Sequence, residues 1–600
     1  MDLERIHSIV ATDCGSTTTK AILIERGEDG FRLRVRGEAP TTVEAPAEDV
    51  TQGVRNALAE VGELAGRPLL DGEGQLIKPD DGQKGIDLYL STSSAGGGLQ
   101  MMVAGVVAKM SAESAQRAAL GAGAVVMEVL AANDKRPSHQ KIELIRQLRP
   151  DMVLLSGGVD GGVQKQVVEL AQLFAAADPR PRLGHNYRLP LIFAGNKEVR
   201  PQIEEILASK VDLEIVDNLR PTLEEENLQP ARLKIQNQFL EHVMAHAPGY
   251  PRLMEMVDAP IMPTPAAVGA IMERIAQERG INIMGVDIGG ATTDVFSVFQ
   301  GRFNRSVSAN YGMSYSISNV LADAGPAAVK RWLALDVDEA LMRNTIKNKM
   351  IRPTSIPYLP EDLEVEQALC REALRLSFAQ HELLAGELQG VQRQSEIGAI
   401  FNQQRRRSLI DPLALDMLIG SGGVLSHAPK RWQTALMLLD SYQPWGITQL
   451  AVDSIFMMPQ LGVLAQILPQ AATQVFERDC LIELGTCVAP FFVPGRPGKW
   501  GQPLCRLRWA GREVELKVGE MMVIPLECGR QLEVELEPIR TADVGRGAGV
   551  KCKTLLRGGV VGVIVDGRGR NPFLWPAEGP QRLGSMRTWQ RVMAGEVERG

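Results

Sequence analysis

Asp13 and Lys20 stand seven residues apart in the stretch IVATDCGSTTTKAILIE, and Asp287 and Asp294 stand at the same interval in IMGVDIGGATTDVFSVFQ. In each, an apolar run ends in Asp-x-Gly, passes through small and hydroxyl residues, and resumes as a second apolar run. Asp, Gly, Ser and Thr are ordinary turn residues, so one such stretch predicts only a hairpin. Two of matching length, far apart in the chain, point to shared chemistry. Turns built on Gly15 and on Gly289 and Gly290 expose backbone N–H groups that can line an anion site. Hydroxyls of Ser16, Thr17, Thr18 and Thr292 add donors to phosphate oxygens, and Lys20 supplies a compact positive charge. A carboxylate repels phosphate unless a cation lies between them. Mg2+ suits that place, since one or two carboxylates commonly hold it together with phosphates and water. The expectation is two hairpins clasping a polyphosphate, with Asp13 and Asp287 reaching the metal directly or through water. Lys20 faces phosphate in the first copy, and Asp294, at the same offset in the second, is a candidate contact to the bound nucleotide.

These residues need strands to carry them. SIVATD, KAILIE and FRLRVRGEA read as strands, APAEDVTQGVRNALAEVGEL as a helix and IDLYLSTSS as a strand. SSAGGGLQ then leads into a region expected to be helical from about Met101 to Ala132. Between His139 and Asn218 helical and strand patterns alternate (KIELIRQL, DMVLLSGG, QKQVVELAQLFAAA, LPLIFAGN, VRPQIEEILAS, VDLEIVDN), which predicts a small parallel, Rossmann-like unit. A polar helical connector follows. AAVGAIMERIAQERG reads as a helix before the second hairpin, Ala322 to Leu409 as charged and helical, and DSIFMMPQLGVLAQIL as a helix running to about Gln470. Beyond Cys480 alternating runs between glycine-rich turns predict strands. The expected division is a first lobe over 1–135, an inserted βαβ unit over 136–220, a helical connector over 221–275, a second lobe over 276–472 and a β-rich domain over 473–600.

Composition narrows the field. The 600 residues exceed one hydrophobic core, and 44% apolar with 23% charged residues describes a globular α/β protein. Aromatic residues at 5% give no stacking platform for single strands, and a net charge of −7 gives no footprint for nucleic acid or an anionic membrane. Seven scattered cysteines without a CxxC pair form neither a disulfide framework nor a zinc site. No signal-like start and no apolar run of about 20 residues is found, so a cytoplasmic location is expected. There is no P-loop GxxxxGK[ST], which leaves the two-hairpin type for any ATP site.

DCGSTTTK and DIGGATTD resemble the two phosphate motifs of the actin, sugar-kinase and heat-shock-chaperone ATPase superfamily. IGSGGVLSHAP, with Gly422 and Gly423, resembles its adenosine motif, and the three occur in the superfamily's order. The resemblance implies a two-lobed actin-like (ribonuclease H-like) ATPase fold that uses ATP and Mg2+, with Gly422–Gly423 at the adenosine. Across nearly the whole chain STSSAGGGLQMMV, VLLSGGVDGG, IFAGNKEVR, VDIGGATTDVFSVF, GSGGVLSHAP and DSIFMMPQLGVL resemble the glutamate mutase L (MutL-type) accessory family, which is unrelated to mismatch repair. That resemblance implies a slow Mg-dependent ATPase serving as reactivating or assembly chaperone, with subunits of an adenosylcobalamin-dependent mutase, of glutamate mutase or aminomutase type, as partners. A small-molecule kinase of the same fold, or an assembly subunit using nucleotide only structurally, are the alternatives. No His-x-x-Gly-x-Gly pattern occurs, so the chain is not expected to hold the corrinoid itself.

Other features have plainer explanations. Gly157, Gly158, Asp160, Gly161 and Gly162 could cradle a phosphate at a helix start or simply permit a tight turn. SSAGGGL is a ligand loop or a Ser-capped helix start. Asn196 and Lys197 suit a solvated helix start, Cys14 a small buried residue rather than a nucleophile, and His242 with His246 a plain helix surface without an HExxH context.

Overall fold

The computed structural model describes residues 5–15, 18–43, 46–94, 99–182, 187–239, 241, 247–386 and 408–596. The chain forms two compact units. The first comprises Met1–Arg274, Gly386–Arg407 and Met457–Asp479; the second comprises Ile275–Ala385, Ser408–Phe456 and Cys480–Gly600.

In the first unit β1 (Ser8–Cys14), β2 (Thr18–Gly27) and β3 (Gly30–Pro40) form an antiparallel meander. β1 is buried along its whole length, so its run of apolar residues is continuous rather than alternating. The helix Val50–Ala65 follows, started by the Asp49 side chain accepting from the Thr51 amide and stopped by left-handed Gly66. β4 (Leu88–Ser93) then returns parallel to β1.

A second sheet in this unit is wholly parallel: β5 (Gln100–Gly105), β6 (Val125–Ala131), β7 (Met152–Leu155), β8 (Pro190–Phe193) and β9 (Asp212–Ile215), in the order β6-β5-β7-β8-β9. The expected helix over Met101 to Ala132 is therefore corrected. Only Glu113–Gly121, with a preceding π turn at Ala108–Ala112, is helical there. Met101 and Val103 join one core, while Met102 and Ala104 join another. A strand buried on both faces loses its period of two and cannot be told from a buried helix by pattern. The Rossmann-like sheet thus begins at Gln100, ahead of the expected start at 136. β10 (Met262–Pro263) completes the first sheet beside β4, giving the order β10-β4-β1-β2-β3.

The helices Met458–Ala465 and Pro469–Val475 were expected in the second lobe, yet they belong to the first unit. Gln474 accepts from the Phe31 amide, while Asp479 accepts from the Leu33 amide and pairs with Arg32 at 2.7 Å. These side chains cover the open edge of β3.

The second unit repeats the plan. β11 (Ile283–Ile288), β12 (Thr293–Phe299) and β13 (Arg302–Ser308) form an antiparallel meander, and β14 (Met417–Ser421) and β15 (Gly446–Asp453) lie parallel to β11. The tail then joins this sheet instead of standing apart. β16 (Leu481–Ala489) pairs with β15. After β17 (Phe491–Phe492), β18 (Pro503–Trp509), β19 (Arg512–Lys517), β20 (Met521–Ile524), β21 (Gln531–Pro538), β22 (Ala542–Asp543) and β23 (Cys552–Arg557), the last strand β24 (Val563–Asp566) pairs with β16 and β20. The full order is β13-β12-β11-β14-β15-β16-β24-β20. The remaining tail strands form a four-stranded sheet, β19-β18-β21-β23, and the pair β17-β22. The helix Pro580–Met593 sends Met586, Trp589 and Met593 into the core of the second unit.

His381, on the helix Pro360–Leu384, sits wholly buried behind β12 and β13. Its Nδ1 lies 2.9 Å from Ser306 Oγ and its Nε2 2.8 Å from Ser297 Oγ. Burial pushes the imidazole down to about 3. The unfolded chain therefore takes up this proton first, and stability is lost as pH falls from about 6.5 toward 3, by on the order of 4 kcal/mol. Denaturant titrations at pH 7 and pH 5 should show this slope. His381→Gln should flatten it, and an unchanged slope would contradict the assignment.

No helix among the described residues is long and apolar enough to cross a membrane.

Candidate functional site

The seven-residue interval places each pair of polar residues directly across a hairpin. Asp13 pairs with Lys20 between β1 and β2, and Asp287 pairs with Asp294 between β11 and β12. The same hydrogen bond closes both turns: Gly15 N donates to Thr18 O at 3.1 Å, and Gly289 N donates to Thr292 O at 2.9 Å. A Cβ on Gly15 would lie 2.7 Å from Thr18 O, so the turn requires glycine there. Ser16 and Thr17 lie outside the described residues, as do Ala95–Gly98 of the SSAGGGL stretch and the His242/His246 pair.

Asp13 is 6% exposed. Its Oδ1 accepts from Thr92 Oγ1 at 2.8 Å and from Thr264 Oγ1 at 2.6 Å. Burial raises its pKa, against the opposing pull of Thr264, Lys20 and Thr92. Both hydroxyl bonds end on Oδ1, so the other oxygen keeps its lone pairs for a cation, and a cation there would reverse the cost of burial. Thr92 and Thr264 were not singled out from the sequence. The STSS run and the Thr-Pro helix start were visible signals, but nothing local connected them to Asp13. Cys14 is wholly buried, and burial, with Asp13 beside it, pushes its thiol up to about 12. It is a packing residue, as expected.

In the second unit the turn Gly289–Thr292 is braced entirely through its carbonyls. Gly289 O accepts from Met313 N, Gly290 O from Ser314 N and Tyr315 N, Ala291 O from Ser316 Oγ, and Thr292 O from Gly289 N. No described residue accepts from the amides of Gly290, Ala291 or Thr292. A turn with bound carbonyls and three donors left over is polarised to receive an anion. The brace from Gly312 to Ser316 was not foreseen, and Gly312 packs so closely that a Cβ would lie 2.4 Å from Gly290 O.

Asp294 makes a different contact from the one expected. Its Oδ1 takes Arg305 Nε at 2.9 Å and Nη2 at 2.5 Å, and the Arg305 side chain is 1% exposed. This carboxylate is committed to an ion pair behind the hairpin. Asp287 is half-buried at the end of β11, where Ser421 of β14 lies in register with it.

The glycine step after β14 stands at that same strand end. Gly422 has φ +103°, and a Cβ on it would lie 2.2 Å from Ile288 O, so no side chain fits against β11. Gly423, open on its Cα side, begins the short helix Gly423–Ser426. Ser426 Oγ donates to Asp453 O at 2.6 Å, tying the step to the end of β15. The His427 ring stacks on Phe456, with centroids 5.4 Å apart. Asp287, the turn Gly289–Thr292, the glycine step and this flat ring pair lie at or just beyond the carboxyl ends of β11, β14 and β15, where sheets of parallel strands hold ligands.

The VLLSGGVDGG loop is tied inward. Asp160 Oδ1 accepts from Lys197 N and Asn218 Nδ2, and Glu198 accepts from Gly161 N. Asn196 caps the short helical turn Lys197–Val199, so a helix starts here as expected, but its side chain is buried rather than solvated.

Two sheets, each with a three-strand meander followed by strands added parallel to its first, and each with an Asp-bearing hairpin at one end, define the actin-like (ribonuclease H-like) fold. Residues 9–480 match the family described as MutL protein, and the chain belongs to that family. Protein MutL of Clostridium tetanomorphum is 28% identical over 498 residues, which make up 78% of this chain and 97% of that protein. Among solved structures, component A of (R)-2-hydroxyglutaryl-CoA dehydratase from Acidaminococcus fermentans is 10% identical, covering 78% of this chain and 99% of its own, with a TM-score of 0.29. A diol dehydratase-reactivating factor in nucleotide-free form is 11% identical, covering 77% and 99%, with a TM-score of 0.28.

Proposed function

We propose that this chain binds and slowly hydrolyses Mg-ATP, and that it serves as reactivating or assembly chaperone to an adenosylcobalamin-dependent mutase. The observation that carries the nucleotide part is the turn Gly289–Thr292, whose carbonyls are all bonded and whose three following amides are left for phosphate oxygens. Gly422 and Gly423 let the backbone meet the nucleoside closely, and the His427–Phe456 stack offers a flat surface to a base. In the first unit Gly15, Thr18 and Lys20 offer phosphate the same kinds of group. Asp13 and Asp287 are the residues that would hold Mg2+, which supplies neutralisation of phosphate charge. Thr92 and Thr264 orient Asp13 and keep one oxygen turned to them. Catalysis here is positioning and charge stabilisation rather than covalent chemistry.

The mutase partnership rests on the family resemblance of the sequence motifs. Its test is the addition of purified chain to an inactivated adenosylcobalamin mutase. Activity should return with Mg-ATP and not with a non-hydrolysable analogue. Equal recovery with both nucleotides would sink the hydrolysis-driven mechanism.

A further inference from the structure

The parallel sheet of the first unit is wound in both directions. β5, the first of its five strands in the chain, lies inside the sheet, with the second, β6, on one side and the third, β7, on the other. The chain leaving β5 turns to the helix Glu113–Gly121, whose Ala115, Ala118 and Ala119 join one core. The chain leaving β7 turns to the helix Lys165–Ala177, which packs into the core on the opposite face. The two connections therefore part at the carboxyl ends of β5 and β7, and doubly wound sheets hold ligands in the crevice at such a switch point.

VLLSGGVDGG runs from β7 into this crevice. Its carbonyls are bonded inward: Gly157 O accepts from Asn196 N at 3.0 Å, Gly158 O from Asn218 Nδ2 at 3.0 Å, and Val159 O from Gly162 N at 2.9 Å. No described residue accepts from the amides of Gly157, Gly158 and Val159, or from that of Val106 just beyond β5. Val106 and Gly157 are buried, where an unbonded N–H costs free energy. A tight turn accounts for the glycines, since a Cβ on Gly157 would lie 2.5 Å from Val106 Cγ2 and one on Gly158 2.5 Å from Val163 O. It does not account for the spare donors. Bonded carbonyls with successive amides left over are also the signature of the turn Gly289–Thr292 in the other unit.

We propose that this crevice binds the phosphate group of a phosphomonoester, at a site separate from the two hairpins. Successive backbone donors suit the oxygens of a phosphate. Charge agrees with that choice. On the loops that follow β5, β6, β7 and β8 every carboxylate is already held: Asp134 by Arg136 and Lys141, Asp160 by Lys197 N and Asn218 Nδ2, and Glu198 by Gly161 N. The exposed Lys109 and Lys135 make no ion pair with a described residue, and Lys109 stands on the turn directly after β5. The balance left to a ligand is positive. Val163, 47% exposed at the end of the glycine loop, offers apolar surface to the organic part of an ester, which free phosphate leaves unused.

The test follows hydrogen exchange by mass spectrometry in the full chain, with inorganic phosphate and phenyl phosphate as probes. At saturation, exchange over 156–163 should slow by about tenfold or more, because these amides gain acceptors. Phenyl phosphate should half-saturate the effect at a lower concentration than inorganic phosphate. Lys109→Glu, a change at an exposed position, should weaken both probes by about tenfold with the melting temperature unchanged. Unaltered exchange over 156–163 with both probes overturns the site, and so does slowing confined to 289–292. Equal half-saturation by the two probes overturns the ester and makes free phosphate the ligand. Undiminished binding by Lys109→Glu overturns the part given to that lysine.

Discussion

Asp287→Asn should lower Mg-dependent ATP turnover by about a hundredfold or more while leaving the fold intact. The substitution keeps the volume and removes the charge from a half-buried residue near the end of β11, beside the turn Gly289–Thr292 proposed to receive phosphate. Asp294→Asn is the control, because it changes the residue directly opposite on β12. That carboxylate is bonded through Oδ1 to an Arg305 side chain only 1% exposed, and the substitution takes away the negative charge that faces a buried guanidinium. Loss of a buried partner of this kind costs about 3 kcal/mol in stability. Thus one variant should lose turnover at a normal urea midpoint, and the other should lose midpoint first. Single-turnover hydrolysis and urea unfolding, measured on both, separate the roles. If Asp287→Asn retained full turnover, the metal assignment on β11 would be wrong.

The two hairpins were legible because their information is local. Asp-x-Gly and a run of small residues specify a turn within a few positions, so both hairpins formed as expected, and their equal spacing gave equal register, with Asp13 opposite Lys20 and Asp287 opposite Asp294. What brackets those residues was not legible. Thr92 and Thr264 reach Asp13 from 79 and 251 positions away, and nothing in either segment advertises the contact. Asp294 illustrates the converse: its place in the motif suggested a ligand contact, whereas Arg305, eleven residues on, claims it. β5 and β6 were hidden by burial on both faces, which erases the period of two. The tail's strands were legible as strands, but their joining of the β11–β15 sheet depends on pairings across the chain that no local pattern encodes.

That joining leads to the largest expected effect on stability. Asp566, at the end of β24, accepts from Arg568 at 2.9 and 2.8 Å and from Arg570 at 2.7 Å. Arg568 continues to Asp440 at 2.5 Å, and Asp440 accepts from Arg371 at 2.6 Å. Every side chain in the chain of contacts is at most 4% exposed. Arg568 also lies over Trp589 at 5.0 Å and Phe573 at 5.2 Å, so the cation is faced by aromatic rings as well as carboxylates. Although burial alone would raise the Asp566 carboxyl, Arg568 and Arg570 hold it far below the usual carboxylate range. Its contribution is therefore complete above the ordinary carboxylate pKa near 4 and is lost only as pH falls through the depressed folded value. Asp566→Asn should destabilise the second unit by about 3–5 kcal/mol at pH 7, because it leaves three buried arginines, Arg371, Arg568 and Arg570, with one carboxylate, Asp440, which bonds only the first two. Urea unfolding should show a lower midpoint with the same slope, since the surface exposed on unfolding is unchanged. The network spans Arg371, Asp440 and Asp566, from three distant parts of the sequence, so the tail is a structural member of the second unit. Removing residues 481–600 should likewise abolish cooperative unfolding of that unit. A truncated chain that still unfolds in one sharp transition at the wild-type midpoint would show the tail to be a separate domain after all.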